Sequence, residues 1–214
     1  MSGSARDEIL SRVKRASGGA AACERADAWE QTRPPPVRPA IPGDVAAYFL
    51  TKAETNLMSI REIGSLADVP SAVAQILARA NLAPDISVAP SLRDLPWPAT
   101  MEVRDAKARI GEKLTVTRAV AAIAETGSVV LCSGDDAPGS LNYAPEVHVI
   151  VLDRADITPY LEDGLAKVKA TYEPWPRAVN VVSGPSRTAD VAGIVVRPAH
   201  GPKSVHLLIT SSKP

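Results

Sequence analysis

Cysteine is nearly absent: there are two in 214 residues, Cys23 and Cys132. Iron–sulfur clusters are held by several thiolates at close spacing, so this chain does not supply a cluster site on its own. A four-cysteine structural zinc site is excluded for the same reason. Aromatic residues are also scarce, at 4% against 45% hydrophobic residues overall, so any core is built from Val, Ala, Leu and Ile. Net charge is missing as well, with 24 basic and 24 acidic residues. That balance lacks the basic footprint of a general nucleic-acid surface. No apolar run approaches the roughly 18 residues that mark a membrane span. The start, Met1 to Leu10, lacks the charged-then-apolar pattern of a secretory signal. These absences predict a soluble cytoplasmic protein, where a Cys23–Cys132 disulfide is disfavoured.

What is present is an alternation of helical and strand-like segments. Ser4, with Asp7 three residues on, opens a short helix over 2–16. Ala16 to Pro42 reads as a linker, extended by the prolines of Arg33–Pro39. The predicted division is therefore an N-terminal helix and Pro-rich linker over 1–43 and an α/β domain over 44–214. A helix restarts at Asp44, a strand begins at Leu57, and Pro70 opens the next helix. Ile86–Val88 and Met101–Val103 are short strands. Thr117–Glu125 is Ala-rich and helix-compatible, and Gly127 breaks it. Ser128–Cys132, Val147–Leu152, Val179–Val182 and Val205–Ile209 are apolar strands, the first two an antiparallel excursion if they pair. Thr158 and Pro159 read as the cap and first turn of another helix. Continuous Val/Ile/Leu strands between helices predict an α/β fold, a largely parallel sheet covered by helices.

The candidate chemistry centres on Ser183–Pro202, between two predicted strands. Open α/β sheets place ligands at the carboxyl ends of their strands, and this stretch is expected there. Gly184 permits a sharp turn. The hydroxyls of Ser183, Ser186 and Thr188 suit a phosphate or carboxylate. Arg187 suits bidentate pairing with that anion, and Asp190 suits a base. The same residues also suit a plain strand-to-helix turn with an N-cap, and spacing does not separate the two readings. His200, fixed by Gly201 and Pro202, is either a catalytic imidazole or a turn histidine. Glu125, beside Thr126 and Gly127, is either a general acid or base or a helix-end charge. His148 lies between two strand valines, where a satisfied core histidine is the commoner outcome. No His, Cys or acidic spacing makes a metal site.

Taken together and in this order, Ala122–Gly127, Pro145–His148, Ser183–Asp190 and His200–Pro202 resemble the LUD (lactate utilization) domain family. The resemblance runs from about Asp44 to Thr210. It implies a fold of the ribose-5-phosphate isomerase and CoA-transferase kind. It implies a part in oxidising L-lactate to pyruvate beside iron–sulfur partner subunits, with no cofactor in this chain and the clusters in those partners. It implies a pocket for a small carboxylate or phosphate with Glu125, Asp190 and His200 as catalytic candidates. Thr126, Gly127, His148, Ser183, Gly184, Ser186, Arg187, Thr188 and Gly201 would bind substrate. The chain departs from the family pattern at Pro198, where a Gly is common, and in the loop Ser140–Tyr143, which lacks an Arg. Fold relatives also act alone on phosphorylated sugars or acyl-CoA, and a scaffold without catalysis is the third reading.

Overall fold

The computed structural model describes residues 4–34, 37–104, 108–109, 111–135, 137–188 and 200–211. The chain divides into two compact units at Arg38. In the first, α1 (Ala5–Ala16) starts with a reciprocal capping box between Ser4 and Asp7, as the sequence predicts. Where the sequence suggests a linker from Ala16 onward, α2 spans Gly19–Thr32. The reason is local: Ala-rich GAAACERADAWEQT favours helix, and the prolines begin only at Pro34.

The second unit holds two sheets. Its central sheet has six parallel strands in the order β1 (Met58–Ile63), β10 (Ser204–Thr210), β7 (Val147–Asp153), β4 (Leu114–Arg118), β2 (Asp85–Val88) and β3 (Glu102–Arg104). A smaller mixed sheet has the order β8 (Ile157–Thr158), β5 (Ala121–Ile123), β6 (Ser128–Cys132) and β9 (Val179–Val182). The fold is α/β with a largely parallel central sheet flanked by helices.

Side-chain alternation divides the core into layers. Val116, Val149, Val151 and Leu208 face α4 (Val69–Ala80), which packs Val69, Val73 and Leu77 against them. On the opposite face Ile150, Leu152, Leu207 and Ile209 meet α3 (Val45–Thr55) and the inner side of the small sheet, through Phe49, Ala122, Val129 and Leu131. The small sheet's outer side, Ile123, Val130 and Cys132, is covered by Val168 of α6 (Leu161–Thr171), the helix after the single turn α5 (Ser140–Tyr143). Asp44 caps α3 by accepting from the Ala47 N–H at 2.8 Å.

Three local expectations change. Thr117–Glu125 is not a helix: it holds the end of β4, all of β5 and a turn. Alanine's helix preference loses to burial on both faces, since Ala119, Ala121, Ala122 and Ala124 are all buried between layers. Strands 128–132 and 147–153 do not pair; they belong to different sheets. Finally, α6 starts two residues after Pro159, with Tyr160 at the cap position. Thr158 is the last residue of β8, and its hydroxyl donates to the Ala122 carbonyl at 2.7 Å.

Candidate functional site

The residues singled out around Ser183 gather into two knots. The first lies at the end of α3. Ser183 and Ser128 share a hydroxyl–hydroxyl bond of 2.6 Å, and Ser128 donates to Thr126 Oγ1 at 2.8 Å. The Asn56 amide donates to the carbonyls of Thr126 and Gly127 at 2.7 and 3.2 Å. Glycine is required at both close approaches. A Cβ on Gly184, where φ is +98°, would stand 2.0 Å from the Asn56 carbonyl oxygen. One on Gly127, where φ is +64°, would stand 2.5 Å from the Lys52 backbone. In the second knot, the Ser186 N–H donates to the Pro202 carbonyl at 2.9 Å. The Ser186 hydroxyl accepts from the His200 N–H at 3.1 Å, and Gly201 packs beside Ser186.

Arg187 projects from this turn, exposed and without an ion pair among the described residues. Thr188 is half-buried beside it. Asp190, with the rest of 189–199, lies outside the described residues.

Glu125 and His148 have other engagements. The Glu125 carboxylate accepts from the Leu161 N–H at 2.9 Å, so it caps the first turn of α6. His148 is fully buried in β7, with Nε2 2.8 Å from the Thr117 hydroxyl and no partner for Nδ1. Burial pushes its imidazole down to about 3, so it is neutral near pH 7.

The described parts of the stretch 183–202, which are 183–188 and 200–202, are not at the carboxyl ends of the parallel sheet. The stretch leaves the carboxyl end of β9 in the small sheet. It then enters the central sheet at the amino end of β10, where Ser204 pairs with Val147, the first residue of β7. The strand pattern located a strand end correctly but not which sheet or which end the connection meets.

The carboxyl ends of the central sheet open onto a different cavity, of about 380 Å³. Ala89 follows β2, Arg118 ends β4 and Asp156 follows β7; Lys167 and Tyr172 reach in from α6 and the residue after it. The Lys167 ammonium donates to the Asp156 carboxylate. Arg118 is exposed and has no ion pair among the described residues. Among the described residues the cavity therefore carries an excess positive charge, suited to a small anion. Cys132 lines it too, but burial pushes that thiol up to about 11, so it stays protonated near pH 7 and is a poor nucleophile. An Arg closing a Val/Thr strand is the signal that points to this cavity. It is hidden when 117–125 is read as a helix.

Comparison with known proteins agrees with this architecture. The LUD domain family model matches residues 112–210. YkgG of Escherichia coli K12 is 37% identical over 101 residues, 45% of this chain and 44% of that protein. A protein named lactate utilization protein C from Geobacillus sp. WCH70 is 28% identical over 41% of this chain and 38% of its own length. The protein of the same name from Anoxybacillus flavithermus is 26% identical over 53% and 51%. The chain thus spans between 38% and 51% of the length of these curated relatives. A crystal structure of a DUF162 family protein from Deinococcus radiodurans shares the fold, with a TM-score of 0.60 and 20% identity over 80% of this chain and 99% of that one. Residues 112–210 thus match the LUD domain family model, and the chain resembles lactate utilization protein C.

Proposed function

We propose that the chain is a cluster-free subunit or accessory protein of an L-lactate-oxidising system whose iron–sulfur clusters sit in partner subunits. In this reading it holds a small carboxylate in the cavity at the carboxyl ends of β2, β4 and β7. The relatives named lactate utilization protein C support the lactate connection. The observation that carries the site is Arg118: a permanent charge at the rim of a cavity where the one acid among the described lining residues, Asp156, is already paired with Lys167. A guanidinium so placed offers two parallel N–H donors to a carboxylate. The apolar rim, Ala89, Ala119 and Val120, suits a short carbon chain better than a large polar one.

A second site has its own support. Arg187 is an exposed guanidinium beside Ser186 and His200, on the turn the sequence singles out. The hydroxyls of both knots are already bonded to protein groups, which favours the Arg118 cavity over this turn.

One experiment separates these readings. The purified chain, its Arg118→Ala variant and its Arg187→Ala variant are screened by thermal shift with L-lactate, pyruvate, phosphate, sugar phosphates and CoA esters. The expected result is stabilisation by lactate or pyruvate that Arg118→Ala abolishes and Arg187→Ala preserves. Loss in Arg187→Ala alone moves the site to the turn. Stabilisation by phosphorylated compounds alone, with turnover by the lone chain that Glu125→Gln abolishes, establishes a stand-alone enzyme instead. Co-purification with a cysteine-rich partner tests the subunit role.

A further inference from the structure

The opposite end of the central sheet carries a second basic cavity. It has about 390 Å³ of space between the edge strand β1, its neighbour β10 and the last turn of α4. Its apolar lining on the α4 side comes from Ile76, Ala80 and Leu208. Its polar groups follow from strand register. Ser59 pairs with His206 and Arg61 with Leu208, so alternation turns all four toward α4, whose last turn adds Arg79.

The charges in this cavity are unbalanced. The one hydrogen bond described for Arg61 goes to the neutral Gln75 amide, at 2.6 Å. Arg79 has no hydrogen bond or ion pair among the described residues, and no carboxylate is among the described residues lining the cavity. The His206 imidazole, half-buried, also has no side-chain partner among the described residues. Guanidinium groups stay charged at any working pH. Two of them, with a histidine and a serine beside an apolar lining, make a complementary surface for two negative charges on a short carbon body.

We propose that this cavity is a binding site for a small organic dianion, a dicarboxylate or a phosphate monoester, with Arg61 and Arg79 as the charge clamp and His206 as a further donor. Ser59, Val147 and Ser204 place it at the amino ends of β1, β7 and β10, at the other end of the sheet from Arg118. It is a separate site from the carboxylate cavity described above, and it does not depend on that reading.

The test titrates the full chain with succinate, methyl phosphate, inorganic phosphate and, as a monoanion control, acetate. Binding is read by calorimetry and by the imidazole resonances of His206 in NMR spectra. The expected result is saturable binding of a dianion that shifts the His206 resonances. Arg79→Gln and Arg61→Gln each weaken it by about tenfold or more, while Arg118→Ala leaves it intact. Arg79 is exposed at a helix end, so its variant keeps the fold even if Arg61→Gln does not. Succinate alone identifies a dicarboxylate site, and methyl phosphate with inorganic phosphate identifies a phosphate site. The proposal is overturned if no dianion binds more tightly than acetate. It is equally overturned if binding survives Arg79→Gln unchanged or disappears in Arg118→Ala, which would assign it to the other cavity.

Discussion

His148 sets a pH dependence that a single substitution isolates. Its imidazole titrates at 6.5 in an unfolded chain and at about 3 in the fold, and burial is the cause. Below pH 6.5 the unfolded chain takes up a proton that the folded chain refuses, so stability falls as pH falls. The slope is ~1.4 kcal/mol per pH unit between the two values. From about pH 7.5 to about pH 5 this one residue costs ~2 kcal/mol, and the full loss near pH 3 is ~4–5 kcal/mol. His148→Gln keeps a polar group near Thr117 but cannot titrate. At neutral pH it loses packing and a hydrogen bond, about 1–3 kcal/mol. Urea unfolding of both proteins from about pH 7.5 down to about pH 5 measures the gap between them. The gap should close by ~2 kcal/mol on acidification, because only the natural chain pays for the buried histidine. A gap that stays constant with pH refutes the assignment, and shows that His148 is reached by water or by a proton acceptor in the folded chain.

Other substitutions test the parts of the fold that position the candidate sites. Glu112 is buried and accepts from Ser87 Oγ at 2.8 Å, from Arg104 Nη2 at 2.9 Å and from the Arg109 N–H at 3.2 Å. Glu112→Ala leaves Arg104 paired with Asp85 alone and removes the acceptor of Ser87 and the Arg109 N–H, and should cost ~1–3 kcal/mol in denaturant unfolding. Gly184→Ala should cost ~2 kcal/mol or more, since the new Cβ collides with the Asn56 backbone and φ is positive. Gly134→Ala, with open space around it, should stay within about 0.5 kcal/mol, and equal costs at the two glycines would refute the close approach. Glu125→Ala should lower the unfolding free energy by the value of a helix cap, ~1 kcal/mol, read by urea unfolding; Glu125→Gln, which keeps an acceptor for the Leu161 N–H, should recover most of it.

The elements legible in the sequence are those whose cause is local or whose burial is total. Ser4 and Asp7 announce α1 because a capping box closes within four residues. Asp44 and Pro70 mark α3 and α4 for the same kind of reason. The strands β6, β7 and β10 stand out because a parallel or sandwiched strand is covered on both faces and so reads as an unbroken apolar run. The small residues at 127 and 184 also carry their message locally, as positions where the backbone turns through positive φ.

Tertiary structure decided the rest. Ala119–Ala124 prefers helix in isolation, and only the layers on both sides make it strand and turn. A run of valines reveals a strand but not its neighbour, its direction or its sheet, so the end of the sheet reached by 183–202 depended on strand order. Arg118 and Lys167 lie 49 positions apart, and His206 lies 127 positions beyond Arg79. No spacing rule connects them. They meet because parallel strands need long crossovers, which bring distant segments to one end of a sheet while local sequence stays silent about which end that is.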